Sequence, residues 1–122
     1  MPVILPLQPS VGTYRFRSVL QTVEYGFRMR WNSRDSSWYL DVREADQTPI
    51  ALGLRVVLGA YLGRVSTHFI FRNGALVARV PHGDDRREAG FDDMGTRVQL
   101  WYFDRAEVIQ EMQWAALGRP SQ

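Results

Sequence analysis

The sequence predicts an all-β domain, a small antiparallel sandwich or barrel with a short C-terminal α-helix. Three observations predict it. Apolar and polar residues alternate with period two between Tyr25 and Val42; further short apolar runs follow at close spacing between turn residues; and one helix-start signal stands late in the chain, at Asp104. Six or seven strands result, with no internal repeat and no low-complexity segment.

The alternation is densest in YGFRMRWNSRDSSWYLDV. Tyr25, Phe27, Met29 and Trp31 share one face of an extended strand, and Arg28 and Arg30 take the other. After the polar run Asn32 to Ser37 the pattern resumes, with Trp38, Leu40 and Val42 opposed to Tyr39, Asp41 and Arg43. The two halves read as an antiparallel hairpin with Trp31 facing Trp38 near its neck, where an aromatic cross-strand pair contributes roughly 0.2–1 kcal/mol. A lone hairpin is marginal in water, so this one is expected at the centre of a larger sheet.

Taken in order, Val3 to Leu7 is apolar and lies among Pro2, Pro6 and Pro9. Two readings are open: a strand at a sheet edge, where a missing N–H is tolerated, or an arm over residues 1–10 that becomes ordered only in an assembly. Thr13 to Leu20 alternates Tyr14, Phe16, Ser18 and Leu20 with Arg15, Arg17 and Val19, as a strand does, and Gln21 and Thr22 turn into the hairpin. Glu44 to Thr48 is a polar turn. Ile50 to Leu58 (IALGLRVVL) is dense enough in aliphatic residues for a strand buried on both faces, with Gly53 marking a bulge or a close approach.

Gly59 and Gly63 bracket a short turn or single helical turn. His68 to Phe71 and Ala75 to Val80 flank Asn73-Gly74, a hairpin signal. Pro81 to Gly95 (PHGDDRREAGFDDMG) has few apolar residues and is expected to be a long surface loop, and Arg97 to Phe103 is the last strand. Asp104 as N-cap with Glu107 three residues on resembles a capping box; Val108, Ile109, Met112 and Ala116 form one stripe, and Gly118 ends the helix. The expected organisation is one domain over residues 1–122, with the arm at 1–10, the β domain at 11–103 and the helix at 104–118.

A chain of 122 residues buries one core without metals or disulfides. The absence of cysteine excludes a disulfide framework, thiol catalysis and thiolate-bound zinc. No apolar run approaches the roughly 20 residues of a membrane span, and the start MPVILPLQPS lacks the charged segment of a signal peptide, so a soluble, unprocessed protein is expected. Net charge is only +2, yet the 15 basic residues are all arginine. The planar guanidinium suits protein interfaces, although a GC-rich coding sequence explains the bias equally well.

Catalytic signals are weak, and no cofactor or metal is expected. A phosphate-binding P-loop needs a lysine that this chain lacks. His68 and His82 have no second nitrogen or sulfur ligand at useful spacing, and His82 with Asp84 and Asp85 reads as a solvated loop rather than a cation site. Asp92 and Asp93 read as turn residues before Gly95 rather than an acid–base pair. Arg15, Arg17, Arg28 and Arg30 share strands with aromatic residues, a composition found in single-strand-binding barrels. The alternation places the rings on the opposite face, which disfavours nucleic acid. Trp101, Phe103 and Trp114 stand out because Val98, Leu100 and Tyr102 already fill the other face of the last strand. Either that strand is buried on both sides, under the helix, or an aromatic patch is exposed to a partner.

These residues resemble the small baseplate plug family of contractile-tailed bacteriophages. The likeness runs from about Val3 to Phe103: the opening ILPLQPS, then RMRWNSRDSSWYLDV, the segment ALGLRVV, and FDDMGTRVQLWY. Trp31-Asn32 to Asp41 and Asp92 to Tyr102 are its more specific portions. Val65 to Phe71 departs from the family pattern, and Asp104 to Gln122 looks like an extension. The resemblance implies a non-enzymatic virion component at the centre of the tail baseplate, assembled in the host cytoplasm. It would be present in several copies and contact hub, spike and tail-tube proteins, with wedge proteins as further candidates. On this reading the interface residues are Val3, Ile4, Leu5, Trp101, Phe103, Ile109, Met112 and Trp114. The alternative is a free β-barrel that binds single-stranded nucleic acid or another ligand.

Overall fold

The strands marked out by the alternation assemble into two four-stranded antiparallel sheets in a computed structural model that describes residues 3–63, 68–81 and 87–107. The first sheet is a meander of β2 (Thr13–Leu20), β3 (Val23–Asn32), β4 (Ser37–Glu44) and β5 (Pro49–Arg55). The second has the order β1 (Val3–Ile4), β8 (Gln99–Asp104), β7 (Gly74–Arg79) and β6 (Tyr61–Leu62). A single helical turn, α1 (Phe69–Arg72), precedes β7. Residues 105–107 are helical after β8; the remainder of the expected C-terminal helix, 108–118, lies outside the described residues.

The register of the β3–β4 hairpin sets Trp31 opposite Trp38 and Asn32 opposite Ser37. Because side chains alternate across a strand, this register turns Tyr25, Phe27, Met29, Trp38, Leu40 and Val42 inward, where all are buried. They meet Leu76, Ala78, Leu100 and Tyr102 from the second sheet in one continuous core. The arginines of β2 and β3 lie on the opposite, outer face of the first sheet, as the alternation requires.

The turn between β2 and β3 is strained. Leu20 pairs with Val23, leaving a two-residue loop in which both Gln21 (φ 50°) and Thr22 (φ 68°) take positive φ, the backbone of a type I′ turn that Asn and Gly ordinarily supply. What holds it is the second sheet. The Gln21 amide donates to the Tyr102 hydroxyl at 2.6 Å and to the Asn73 carbonyl at 2.9 Å, and Tyr102 donates in turn to the Ile70 carbonyl at 2.8 Å.

Several segments differ from what their pattern predicts, each for a tertiary reason. The aliphatic run Ile50 to Leu58 is not a strand buried on both faces: β5 is an edge strand with Leu52 half exposed, and its register with β4 shifts between Leu40 and Val42 and again before Arg43. The run has two destinations, since Val56 leaves β5 to enter the core while its N–H donates to the Trp38 carbonyl at 2.8 Å. Gly53 (φ 69°) sits beside the first shift, as a bulge demands. Tyr61 and Leu62 extend to pair with Val77 and Leu76 rather than forming a helical turn.

The hairpin expected around Asn73-Gly74 does not form. A type I′ turn needs positive φ at both positions and neither residue has it; instead the Phe71 and Arg72 N–H groups bond back to the His68 carbonyl and close α1. Gly74 serves close packing, because a Cβ there would collide with the Tyr102 hydroxyl and the Phe103 carbonyl. The described part of the expected surface loop, 87–95, is partly core: Ala89 is buried and Met94 fully so. In the N-terminal segment, residues 3–5 run along the second sheet. Val3 and Ile4 pair with Tyr102 and Trp101 at the sheet edge, the Leu5 N–H donates to the Leu100 carbonyl at 2.9 Å, and Leu5 is only 2% exposed. At the C-terminal side the capping box is realised in both directions, with Asp104 N–H to Glu107 Oε1 at 2.8 Å and Glu107 N–H to Asp104 Oδ1 at 2.9 Å.

A β-branched residue at positive φ is costly, so Thr22→Gly is expected to stabilise the protein by about 0.5–1 kcal/mol, read from urea unfolding midpoints at unchanged slope. A loss of stability would mean that the turn is not strained as described.

Candidate interaction surface

The neck of the β3–β4 hairpin meets the segment that leads into β8. Trp38 packs against Trp31 at 5.3 Å between ring centroids, and Phe91, which opens the FDDMG segment, stacks on Trp38 at 6.1 Å and meets Trp31 edge-on at 5.8 Å. The Trp38 indole N–H, otherwise an unpaired donor in the core, donates to the Gly90 carbonyl at 3.0 Å. Asp93 then folds the segment. Its carboxylate accepts from Arg97 at 3.0 Å and from the Gly90 N–H at 2.7 Å, bonds that hold its pKa below the ordinary carboxylate value. Gly95 (φ 91°) brings the turn against the Leu7 backbone, where a side chain would crowd. The Asp92–Asp93 pair is therefore a structural turn, as its sequence context suggests.

A second carboxylate fixes the edge of the first sheet. Asp41 is buried at the bulge and accepts two bonds from Arg30, at 3.1 and 3.2 Å, and one from the Gly53 N–H at 2.7 Å, a group that the shifted register leaves without a ladder partner. Burial pushes the Asp41 pKa up, but the Gly53 and Arg30 hydrogen bonds and the charges of Arg30 and Arg28 outweigh it, so the net shift is downward. Among the described residues no group of three His, Asp or Glu side chains is placed to hold a metal ion.

The face of the second sheet turned away from the main core carries a second apolar cluster. Register places Ile4 beside Trp101, Trp101 beside Val77, Phe103 beside Ala75 and Val77 beside Tyr61, all on one side. Trp101 and Phe103 stack at 6.1 Å, and the Arg79 guanidinium lies over both rings, at 5.6 and 5.3 Å. Ala75, Val77 and Phe103 are buried, Trp101 is half-buried, and Ile4 (48%) and Tyr61 (41%) are exposed.

The chain matches the protein family described as the cyanophage baseplate Pam3 plug gp18 over residues 3–106. It belongs to that family. No curated protein matches the chain. Membership makes it a phage baseplate component, and the residues covered by the match run from the start of β1 through the first helical residues after β8.

Within this family member, the interface residues expected from the sequence separate. Ile4, Trp101 and Phe103 come together on the outer face of the second sheet. Val3 is partly buried and packs against the core, and Leu5 lies within it. Ile109, Met112 and Trp114 lie outside the described residues, as does the His82, Asp84 and Asp85 trio. Sequence reasoning missed Tyr61, Ala75, Val77 and Arg79, which only the pairing of β6, β7 and β8 brings to the face. The period-two pattern of β7 was available as a signal; its strand neighbours were not.

The downward shift of Asp41 has a definite sign. A carboxylate whose folded pKa is depressed contributes stability above its unfolded value, near 3.9, and that contribution is lost as pH falls through the folded value. Asp41→Asn is expected to lower stability at neutral pH by about 2 kcal/mol, the worth of hydrogen bonds to a charged group, and to flatten the loss of stability below about pH 4. Urea unfolding across pH 2–7 checks this; an equally steep acid limb in the variant would contradict it.

Proposed function

We propose that this chain is a non-enzymatic plug at the centre of a contractile-tail baseplate, where it contacts hub, spike and tail-tube proteins. It is a single domain over residues 1–122, carried in several copies and built into the virion in the host cytoplasm. The observation that carries this reading is the family match across residues 3–106. The outer face of the second sheet supports it: Ile4, Tyr61 and the half-buried Trp101 give an apolar, aromatic surface with the Arg79 guanidinium laid over the indole, the composition that protein interfaces favour. Asp93, which the sequence offered with Asp92 as an acid–base pair, and the buried Asp41 hold backbone and arginine groups in place.

Mass spectrometry of tails purified from infected cells tests the assignment. The chain is expected in tail fractions, and Ile4→Asp combined with Tyr61→Asp, two exposed positions, is expected to leave the melting temperature unchanged. The same variant is expected to reduce incorporation by about tenfold, the effect of losing roughly 1.4 kcal/mol of contact energy. Absence of the wild-type chain from purified tails would overturn the reading.

A further inference from the structure

The outer face of the first sheet gathers five arginines, Arg15, Arg17, Arg28, Arg30 and Arg43, against two carboxylates, Glu24 and Asp41. Arg15 on β2 stands directly opposite Arg28 on β3, and Arg17 and Arg43 flank Gly26 from either side. Gly26 is the floor of this arrangement. A Cβ there would meet only Gln47 Nε2 at 3.9 Å and two carbonyl oxygens at 4.0 Å, so the position is open, and a hollow of about 270 Å³ lies above it. Arg15, Arg17, Arg28, Arg43 and Gln47 line that hollow. Two neighbouring arginines are paired, Arg17 with Glu24 at 3.1 Å and Arg30 with Asp41. Arg15 and Arg43 make no hydrogen bond or ion pair among the described residues; Arg28 stands across from Asp41 on one side, whose carboxylate its charge favours, and from Arg15 on the other, and like charges directly opposite each other destabilise a strand pair.

We propose that this hollow is a docking site for an acidic polypeptide segment of a neighbouring baseplate protein; the source of the segment rests on the assembly reading above, its chemistry on the face itself. Three observations select a carboxylate-bearing chain. The ligand groups are guanidinium forks, which take carboxylates in paired hydrogen bonds. Two aromatic residues, Phe16 and Phe27, also line the hollow, but their ring faces are taken up by stacking on each other at 5.1 Å and Phe27 is buried in the core; Tyr39, farther along the face, is covered by the Arg30 guanidinium. Finally, β2 is an edge strand, so Arg15 and Arg17 are reachable from the side by an extended chain.

The test uses the purified full chain, a fluorescent oligo-glutamate peptide and an oligothymidylate of equal length. The peptide is expected to bind in a salt-dependent manner and more tightly than the oligothymidylate. Arg15→Glu is expected to weaken peptide binding by about tenfold or more while leaving the melting temperature unchanged or higher, because a Glu–Arg cross-strand pair replaces Arg–Arg. Arg28→Lys keeps the charge but loses the fork and should weaken binding by a smaller factor. No peptide binding, tighter binding of the oligothymidylate, or peptide binding indifferent to Arg15→Glu would overturn the proposal. In infected cells the two readings separate: Arg15→Glu chains entering tails at the wild-type level would overturn the docking site alone, whereas wild-type chains missing from tails would remove the assembly reading and the named source with it.

Discussion

The structure depends on the packing of Trp38 between Trp31 and Phe91. The hairpin alone presents two large indoles that cannot satisfy each other: their rings meet at a tilt, and the Trp38 N–H needs an acceptor. The segment 90–95 supplies both a ring face and a carbonyl. Once that segment is seated, Met94 and Val98 enter the core, Gly95 receives the Leu7 backbone, and the N-terminal strand is brought to pair with β8. A contact between one sheet and the loop that leads into the other thus determines how the two sheets close.

Closing the sandwich in this way leaves two outward faces of different chemistry. One is aromatic and apolar, with an arginine laid across its rings; the other gathers arginines, two of them salt-bridged to Glu24 and Asp41, around a glycine floor. The carboxylates that might have suggested chemistry are occupied with structural work instead. Asp41 fastens the bulged edge strand, and Asp93 folds the turn beneath the tryptophans. A family of baseplate plugs is well served by such a body, since a part held among neighbours needs rigid, differentiated surfaces more than a pocket.

Much of this was legible in the chain because period two is a local property. Tyr25 to Val42 and Thr13 to Leu20 encode their faces directly, and the capping box of Asp104 and Glu107 is written within four residues. Illegible were features decided at a distance. The run Ile50 to Leu58 reads as central because composition does not reveal that β5 has a neighbour on one side only. Asn73-Gly74 reads as a turn, whereas its glycine answers to Tyr102, and the true type I′ turn is Gln21-Thr22, held by a side chain bonded to the other sheet. The FDDMG segment reads as solvent-facing because polar residues outnumber its apolar ones, yet Phe91 and Met94 are the residues that pack. The candidate surface was half legible: Ile4, Trp101 and Phe103 were singled out, but their grouping with Tyr61 and Val77 required the strand order.

The coupling of Trp38 to Phe91 is measured most directly by a double-mutant cycle of Trp38→Leu and Phe91→Ala, followed by urea unfolding. If the contact closes the sandwich as described, the two substitutions are non-additive, with an interaction energy of about 0.5–1.5 kcal/mol, as aromatic pairs in contact show. Additivity to within about 0.3 kcal/mol would contradict the account, because the hairpin and the segment would then be folding without reference to each other.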